Sequence, residues 1–243
     1  MAVHFGFSLS ALYVAFFWTL FVQARRGLAC MCLPEHPQQQ FCRADFVIRG
    51  KVLPQSSTEV PLILTEGAMI ESGLGHVTGG MEIYQVQVER VYKGHDIISL
   101  QRLATMTIAK YGANCGQSLK EGKQYFLTGQ YLSNAEYNFQ IGMCDWVTGY
   151  KLLTRKQRQG VRHLYKQYCN SCKIQECFHG HCTATASNVC TWDPTNVMKG
   201  DIDCEGRYSR CMRKSNGSCQ WFENTEMRDC MKRRENMRDN KIQ

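Results

Sequence analysis

Cys30, Met31 and Cys32 form the short segment whose chemistry stands out. An apolar run from Phe5 to Val22 precedes it, and Gln23, Ala24, Arg25, Arg26 and Gly27 break that run. Gly27-Leu28-Ala29 then puts small residues at −3 and −1 of a secretory cleavage site. Cleavage after Ala29 makes Cys30 the first residue of the mature chain. A free N-terminal cysteine presents an α-amino nitrogen and a carbonyl oxygen that can close a five-membered chelate on a metal ion. Its side chain remains available to anchor that chelate through a disulfide. Two other readings compete for the apolar run. At about 18 residues it approaches the shortest membrane span, and Gly-Leu-Ala-Cys partly resembles a bacterial lipoprotein site. The small-residue cleavage site and the cysteine-rich chain behind it favour a signal peptide over residues 1–29 and an extracellular protein.

All fourteen cysteines lie after that point, at 30, 32, 42, 115, 144, 169, 172, 177, 182, 190, 204, 211, 219 and 230. An even count behind a signal peptide reads as disulfides formed in an oxidising compartment. Five fall in residues 30–168 and nine in 169–243, which places a boundary near Cys169. The first part is long enough to bury a core. The second is short and needs covalent staples. Cys169-x2-Cys172-x4-Cys177-x4-Cys182, with His179 and His181 nearby, also mimics a zinc knuckle of an intracellular RNA binder. An oxidising compartment favours disulfides there instead.

Losing Arg25 and Arg26 with the leader lowers the formal net charge from +8 to +6. That excess permits contact with acidic polysaccharide. No basic stripe with interleaved aromatics is present, so nucleic acid is not an expected partner. Asp45 and Asp145 have no evident acid/base partners and no Ser/His/Asp set occurs, so the chain does not read as an enzyme.

These residues need elements to hold them. Residues 44–52 (ADFVIRGKV) alternate apolar and polar and read as a strand, as do residues 81–92, with Ile83, Val86, Val88 and Val91 available to a core. The connection 54–80 is long for a compact domain, and such loops usually carry function or motion. Further strands fit 97–103, 105–109, 124–130 and 137–143. Thr154 to Gln157 matches a capping box, and Val161, Leu164, Tyr165 and Tyr168 share one helical face that reads as core. The predicted fold is mainly β with a few helices, built on a small closed barrel of the oligonucleotide/oligosaccharide-binding type.

The stretch from Cys30 to Val52 closely resembles the mature N-terminus of the tissue inhibitors of metalloproteinases. The agreement covers Cys-x-Cys, His36-Pro37-Gln38-Gln39, Phe41-Cys42, Ala44-Asp45 and Val47-Ile48-Arg49. Later landmarks are Tyr92-Lys93-Gly94, Cys115-Gly116-x-Ser118-Leu119, Cys144-Asp145 and Ser215-Asn216-Gly217-Ser218-Cys219-x-Trp221. The resemblance runs through nearly all of residues 30–222. It implies a five-stranded netrin-like barrel over residues 30–169 and a small cysteine-rich subdomain over 170–243. It also implies the bridges Cys30–Cys115, Cys32–Cys144, Cys42–Cys169, Cys172–Cys219, Cys177–Cys182 and Cys190–Cys211. Cys204 and Cys230 have no place in that six-bridge pattern, and we expect them to pair with each other.

The resemblance further implies a function. Cys30 would chelate the catalytic zinc of a secreted or cell-surface metalloprotease in a one-to-one complex, with no cofactor of its own. Met31, Cys32, Leu33 and Pro34 would line the protease cleft, and Tyr111, Gly112, Ala113, Asn114 and Cys115 would lie beside them. Met31 stands where the family carries a small hydroxyl residue and is expected to alter selectivity. Arg43 replaces a frequent Asn, which unsettles its contact with the protease. Asn216-Gly217-Ser218 is a glycosylation sequon and a plausible hairpin turn. The basic run Met231-Lys232-Arg233-Arg234 reads first as a solubilising surface and could also present a patch to acidic matrix or a proenzyme. The competing reading is a netrin-like module that binds matrix or a receptor without inhibiting anything. Such a module would not need Cys30 at a free terminus.

Overall fold

The computed structural model describes residues 32–54, 58–61, 79–111, 117–178 and 186–242, all within one unit, Cys32–Gln243. The chain opens on a short helix α1 (Pro37–Arg43) and continues into strands β1 (Phe46–Val52), β2 (Thr58–Pro61), β3 (Gly79–Lys93), β4 (Leu103–Tyr111), β5 (Gln124–Tyr131), β6 (Phe139–Ile141) and β7 (Val147–Gly149). β1 pairs with both β3 and β5, β3 with β4, β4 with β6 and β6 with β5. Those five strands therefore close on themselves, which leaves no open edge within the ring. β2 extends the sheet beside β3, and β7 pairs with β5.

The barrel is filled by Phe46, Ile48, Val52, Tyr84, Val86, Val88, Met106, Ile108, Leu127 and Ile141. β1 is buried on both faces. Phe46 and Ile48 enter the barrel, while Val47 faces a second core with Phe41, Phe126, Leu153, Val161 and Tyr165. β3 holds two bulges, since Val47↔Lys93 is followed by Ile48↔Val91, and Arg49↔Arg90 by Gly50↔Val88. Each extra residue flips the alternation of side chains. That is why Val88 fills the barrel and Val91, three residues on, still packs against the same core.

The expected strand over 97–103 is not formed. Gly94, at φ +83°, turns the chain, and its carbonyl accepts from the amides of Ile97 and Ile98 at 3.1 and 2.9 Å. Ile98 is buried as a plug against the barrel, so its apolarity signals closure and not extension. The segment 137–143 contributes only Phe139–Ile141, and β2 occupies part of the long 54–80 connection.

Thr154 caps the next helix as the sequence indicates: its hydroxyl accepts from Gln157 N and Gln157 Oε1 accepts from Thr154 N. α2 (Arg155–Gln159) passes through a π turn (Gly160–Leu164) into α3 (Tyr165–Tyr168). A Cβ on Gly160 would stand 2.4 Å from the Tyr165 ring, so only glycine lets that ring pack across the turn.

The remainder is β8 (Lys173–Glu176) parallel to β9 (Val189–Trp192), α4 (Thr195–Met198), α5 (Cys204–Tyr208), the hairpin β10 (Cys211–Arg213) and β11 (Cys219–Trp221), and α6 (Thr225–Ile242). Its buried centre is Cys172, Cys190 and Cys211, with Tyr168, Ile174, Cys219 and Trp221 packed around them. Sulfur replaces the aliphatic core that so short a segment cannot build. Among the described residues no helix is long and apolar enough to cross a membrane.

Candidate functional site

α1 is fixed before anything can be displayed from it. His36 forms a capping box, with Nδ1 accepting from Gln38 N at 3.1 Å and its own amide donating to Gln39 Oε1 at 3.0 Å. Pro37 supplies the preset φ of a first helical residue. At the other end Lys93 Nζ donates to the carbonyls of Phe41 and Cys42 at 3.3 and 2.7 Å, and burial pushes its pKa down. Cys42–Cys169 fastens the same helix to the end of α3.

The segment before α1 is held by a bridge and a fork. Cys32 is disulfide-bonded to Cys144, with Cα atoms 5.4 Å apart. Arg43 places Nε 2.7 Å from Glu35 Oε2, Nη1 3.1 Å from Asp145 Oδ1, and Nη2 2.8 Å from the Cys144 carbonyl. One planar guanidinium thus joins the N-terminal segment to the turn that carries its disulfide partner. Asp145 closes that turn: its Oδ2 accepts from Gly142 N at 2.7 Å and its amide donates to Gly142 O at 3.1 Å. Burial raises the Asp145 pKa, while the Gly142 amide and Arg43 work against that rise.

Sheet register gives the position of this assembly on the barrel. β4 and β6 run parallel, with Met106↔Phe139, Thr107↔Gln140 and Ile108↔Ile141. Their C-terminal ends therefore leave the barrel on the same side. Cys144 follows β6 there, and β4 ends there at Tyr111, opposite Gly79 of β3. Leu33, 58% exposed, stands between half-buried Cys32 and Pro34 as the projecting side chain of the segment.

Of the predicted site residues, Cys32, Leu33, Pro34 and Arg43 are gathered around this turn, and Tyr111 ends the strand beside it. Cys30, Met31, Gly112, Ala113, Asn114 and Cys115 lie outside the described residues, as do the cleavage site, His179, His181 and the pairings Cys30–Cys115 and Cys177–Cys182. Cys172–Cys219, Cys190–Cys211 and Cys204–Cys230 are present. Glu35 and Asp145 were not foreseen as members of the site. Asp145, read as lacking a partner, has one in Arg43, 102 residues earlier in the chain. The adjacency of Cys42-Arg43 and Cys144-Asp145 was visible, but the two cysteines belong to different bridges, and only the fold brings the charges together.

The zinc-knuckle reading fails on the sulfurs. Cys169 and Cys172 are consumed in bridges to Cys42 and Cys219. Cys172, Cys211 and Cys219 lie within ligand distance of one another, yet each is a half-cystine with no thiolate to offer.

A second locked contact ties this region to the C-terminal segment. The His36 ring is fully buried, 4.9 Å from the Trp221 ring and 5.8 Å from that of Trp192. Gln38 exchanges two hydrogen bonds with the Cys211 backbone, at 2.9 and 2.8 Å. Burial lowers the His36 pKa to about 4.

Comparison with known proteins agrees with this architecture. The family model described as tissue inhibitor of metalloproteinase matches residues 28–221. Metalloproteinase inhibitor 3 of Scyliorhinus torazame is 30% identical over 195 residues, covering 80% of this chain and 81% of that protein. Metalloproteinase inhibitor 3 of Gallus gallus is 30% identical over 80% of this chain and 82% of its own length. Metalloproteinase inhibitor 2 of Bos taurus is 30% identical over 81% and 83%. The chain belongs to the tissue inhibitor of metalloproteinase family and is not an enzyme.

Proposed function

We propose that this chain is a secreted protein inhibitor of zinc metalloproteases, acting through the amine and carbonyl of a mature N-terminal Cys30. The relatives named above are metalloproteinase inhibitors, which supports the inhibitory class. The observation that carries the chelating role is the Cys32–Cys144 bridge with the Arg43 fork across it. Cys32 and the residues that follow it are thereby fastened to the disulfide-bonded barrel. Little conformational entropy is then lost on binding.

A catalytic zinc in a metalloprotease keeps one coordination position for the water that attacks substrate. Cys30 would fill that position with nitrogen and oxygen. The amine binds only when neutral, and a reference pKa of about 8 makes that form accessible near neutral pH. Leu33 and Pro34 would continue along the cleft, and residues 111–115 would flank them. The partners are secreted or cell-surface zinc metalloproteases, bound one to one.

The deciding test compares mature protein beginning at Cys30 with a form carrying one extra alanine and a form acetylated at the amine. All three are titrated against a panel of zinc metalloproteases. The mature form should inhibit and the two blocked forms should not, with identical circular dichroism. Equal inhibition by the extended form would refute chelation and favour a binding module that needs no free terminus.

A further inference from the structure

We propose that Asn216 is an N-glycosylation site, bearing an oligosaccharide on its side-chain nitrogen. Asn216-Gly217-Ser218 is the only Asn-x-Ser/Thr in the 243-residue sequence, and its middle residue is not proline. It forms the turn between β10 and β11, which pair Cys211↔Trp221, Met212↔Gln220 and Arg213↔Cys219. The turn is closed by the Lys214 amide donating to the Ser218 carbonyl at 2.7 Å and the Gly217 amide donating to the Lys214 carbonyl at 3.0 Å. Gly217 adopts φ +85°, a left-handed conformation that glycine takes without strain.

The asparagine side chain is divided between its two atoms. Oδ1 accepts from the Ser218 amide at 3.0 Å and from the Ser218 hydroxyl at 2.8 Å. Nδ2, the atom that would carry the sugar, makes no hydrogen bond among the described residues, and Asn216 is exposed. Lys214 and Ser215 beside it are exposed as well. Below the tip, Cys190–Cys211 and Cys172–Cys219 anchor both strands in the cystine core. The fold therefore buries the base of this hairpin and leaves the sequon in solvent, where a bulky hydrophilic group displaces nothing. The contacts that shape the motif span three residues, so the chain can form them before the rest of the segment folds.

The donor is a polyprenyl-pyrophosphate-linked oligosaccharide of the secretory compartment. Its C1–O bond to the pyrophosphate breaks, a C1–Nδ2 bond forms, the Nδ2 proton passes to a base of the transferase, and polyprenyl pyrophosphate leaves. The proposal rests on the secretory reading of residues 1–29, because that transferase acts only on translocated chains.

The full chain is expressed in insect or mammalian cells and the secreted protein is peptide-mapped before and after peptide-N-glycosidase treatment in heavy-oxygen water. The expected result is a glycopeptide containing Asn216 that becomes a heavy-oxygen-labelled aspartate at that position. Asn216→Gln and Ser218→Ala should each be secreted without the glycan. The wild-type map decides alone if either variant is poorly produced. Secreted wild-type protein with unmodified Asn216 would overturn the site and leave secretion intact. A chain that stays in the cytosol with residues 1–29 uncut would overturn the secretory reading and the site together.

Discussion

Arg43 Nη1 lies 3.1 Å from Asp145 Oδ1, joining the last turn of α1 to the turn that holds the Cys32 disulfide partner. The Asp145 side chain is only 4% exposed, whereas that of Arg43 is 38% exposed. The buried member of the pair therefore depends on the exposed one. Arg43→Ala would leave Asp145 with the Gly142 amide alone and free Glu35 from the fork. Stability should fall by about 1–3 kcal/mol, the usual consequence of leaving a buried polar group short of a partner. The dissociation rate of a protease complex should rise further than stability alone explains, because the segment before α1 loses its brace. Arg43→Lys should rescue the charge but not the three-point fork. Thermal unfolding and surface plasmon resonance on the three proteins check this; unchanged dissociation in Arg43→Ala would show that the disulfide alone positions the segment.

Met31 precedes the bridged cysteine by one residue, and methionine is flexible and apolar. Met31→Gly is expected to weaken binding by about 1–3 kcal/mol for proteases with deep apolar pockets, the scale of burying one such side chain. Proteases with shallow pockets should lose less. Inhibition constants across a panel measure this, and equal constants for both proteins everywhere would exclude the side chain from the pocket.

Much of this was legible in the sequence, and what was not has a physical cause. The Thr154 capping box and the inward face of Val161 and Tyr165 depend on residues a few positions apart, so local pattern sufficed. Ile97 and Ile98 misled because an apolar pair before a strand looks the same whether it extends the strand or plugs the barrel end. Only Gly94 hinted at the turn. The bulges in β3 were hidden because alternation read along one strand does not show where its neighbour skips a residue. The Arg43–Asp145 pair arises from closure of the whole barrel, which no local spacing encodes. Within the basic run 231–234, Arg234 is not a free surface cation. It is buried and paired with Glu205 at 3.0 and 3.1 Å, which leaves Lys232 and Arg233 as the exposed cations of that run.

His36 gives the contact between α1 and the C-terminal segment a defined acid limit. Its folded pKa of about 4 lies below the unfolded value of 6.5, so between those values the unfolded chain binds more protons. Stability from this residue is complete above pH 6.5 and falls as pH drops towards 4, by about 3 kcal/mol in all. The imidazolium is disfavoured because the ring is fully buried between two tryptophans. Nδ1 is already accepting from Gln38 N, and the Glu205 carbonyl near the ring works against the lowering without overcoming burial. His36→Asn keeps a cap acceptor but cannot titrate. It should be less stable at neutral pH and should lack this part of the acid slope. Denaturant unfolding followed by tryptophan fluorescence from pH 4 to 7 tests it, and identical slopes in both proteins would refute the assignment.

The seventh disulfide secures an element that cannot secure itself. α6 carries charged side chains around most of its circumference and offers little apolar surface to a core. Two residues one turn apart fasten it to α5: Cys230, fully buried in a bridge to Cys204, and Arg234, paired bidentately with Glu205; near its start the exposed Glu226 lies 3.4 Å from Lys156 of α2. Replacing both cysteines by serine opens a loop closed across 26 residues, which the chain-entropy model values at about 3 kcal/mol. The Arg234–Glu205 pair should then weaken as well, since the bridge holds the two helices at the distance it needs. Hydrogen exchange should rise throughout α6 and α5 while β1, β3, β4 and β5 keep their protection. Inhibition should persist, because the segment around Cys32 is fastened by Cys144 and Arg43 and by none of the described side chains of α6. Loss of inhibition in the double variant, with the barrel still protected, would show that α6 takes part in holding the protease.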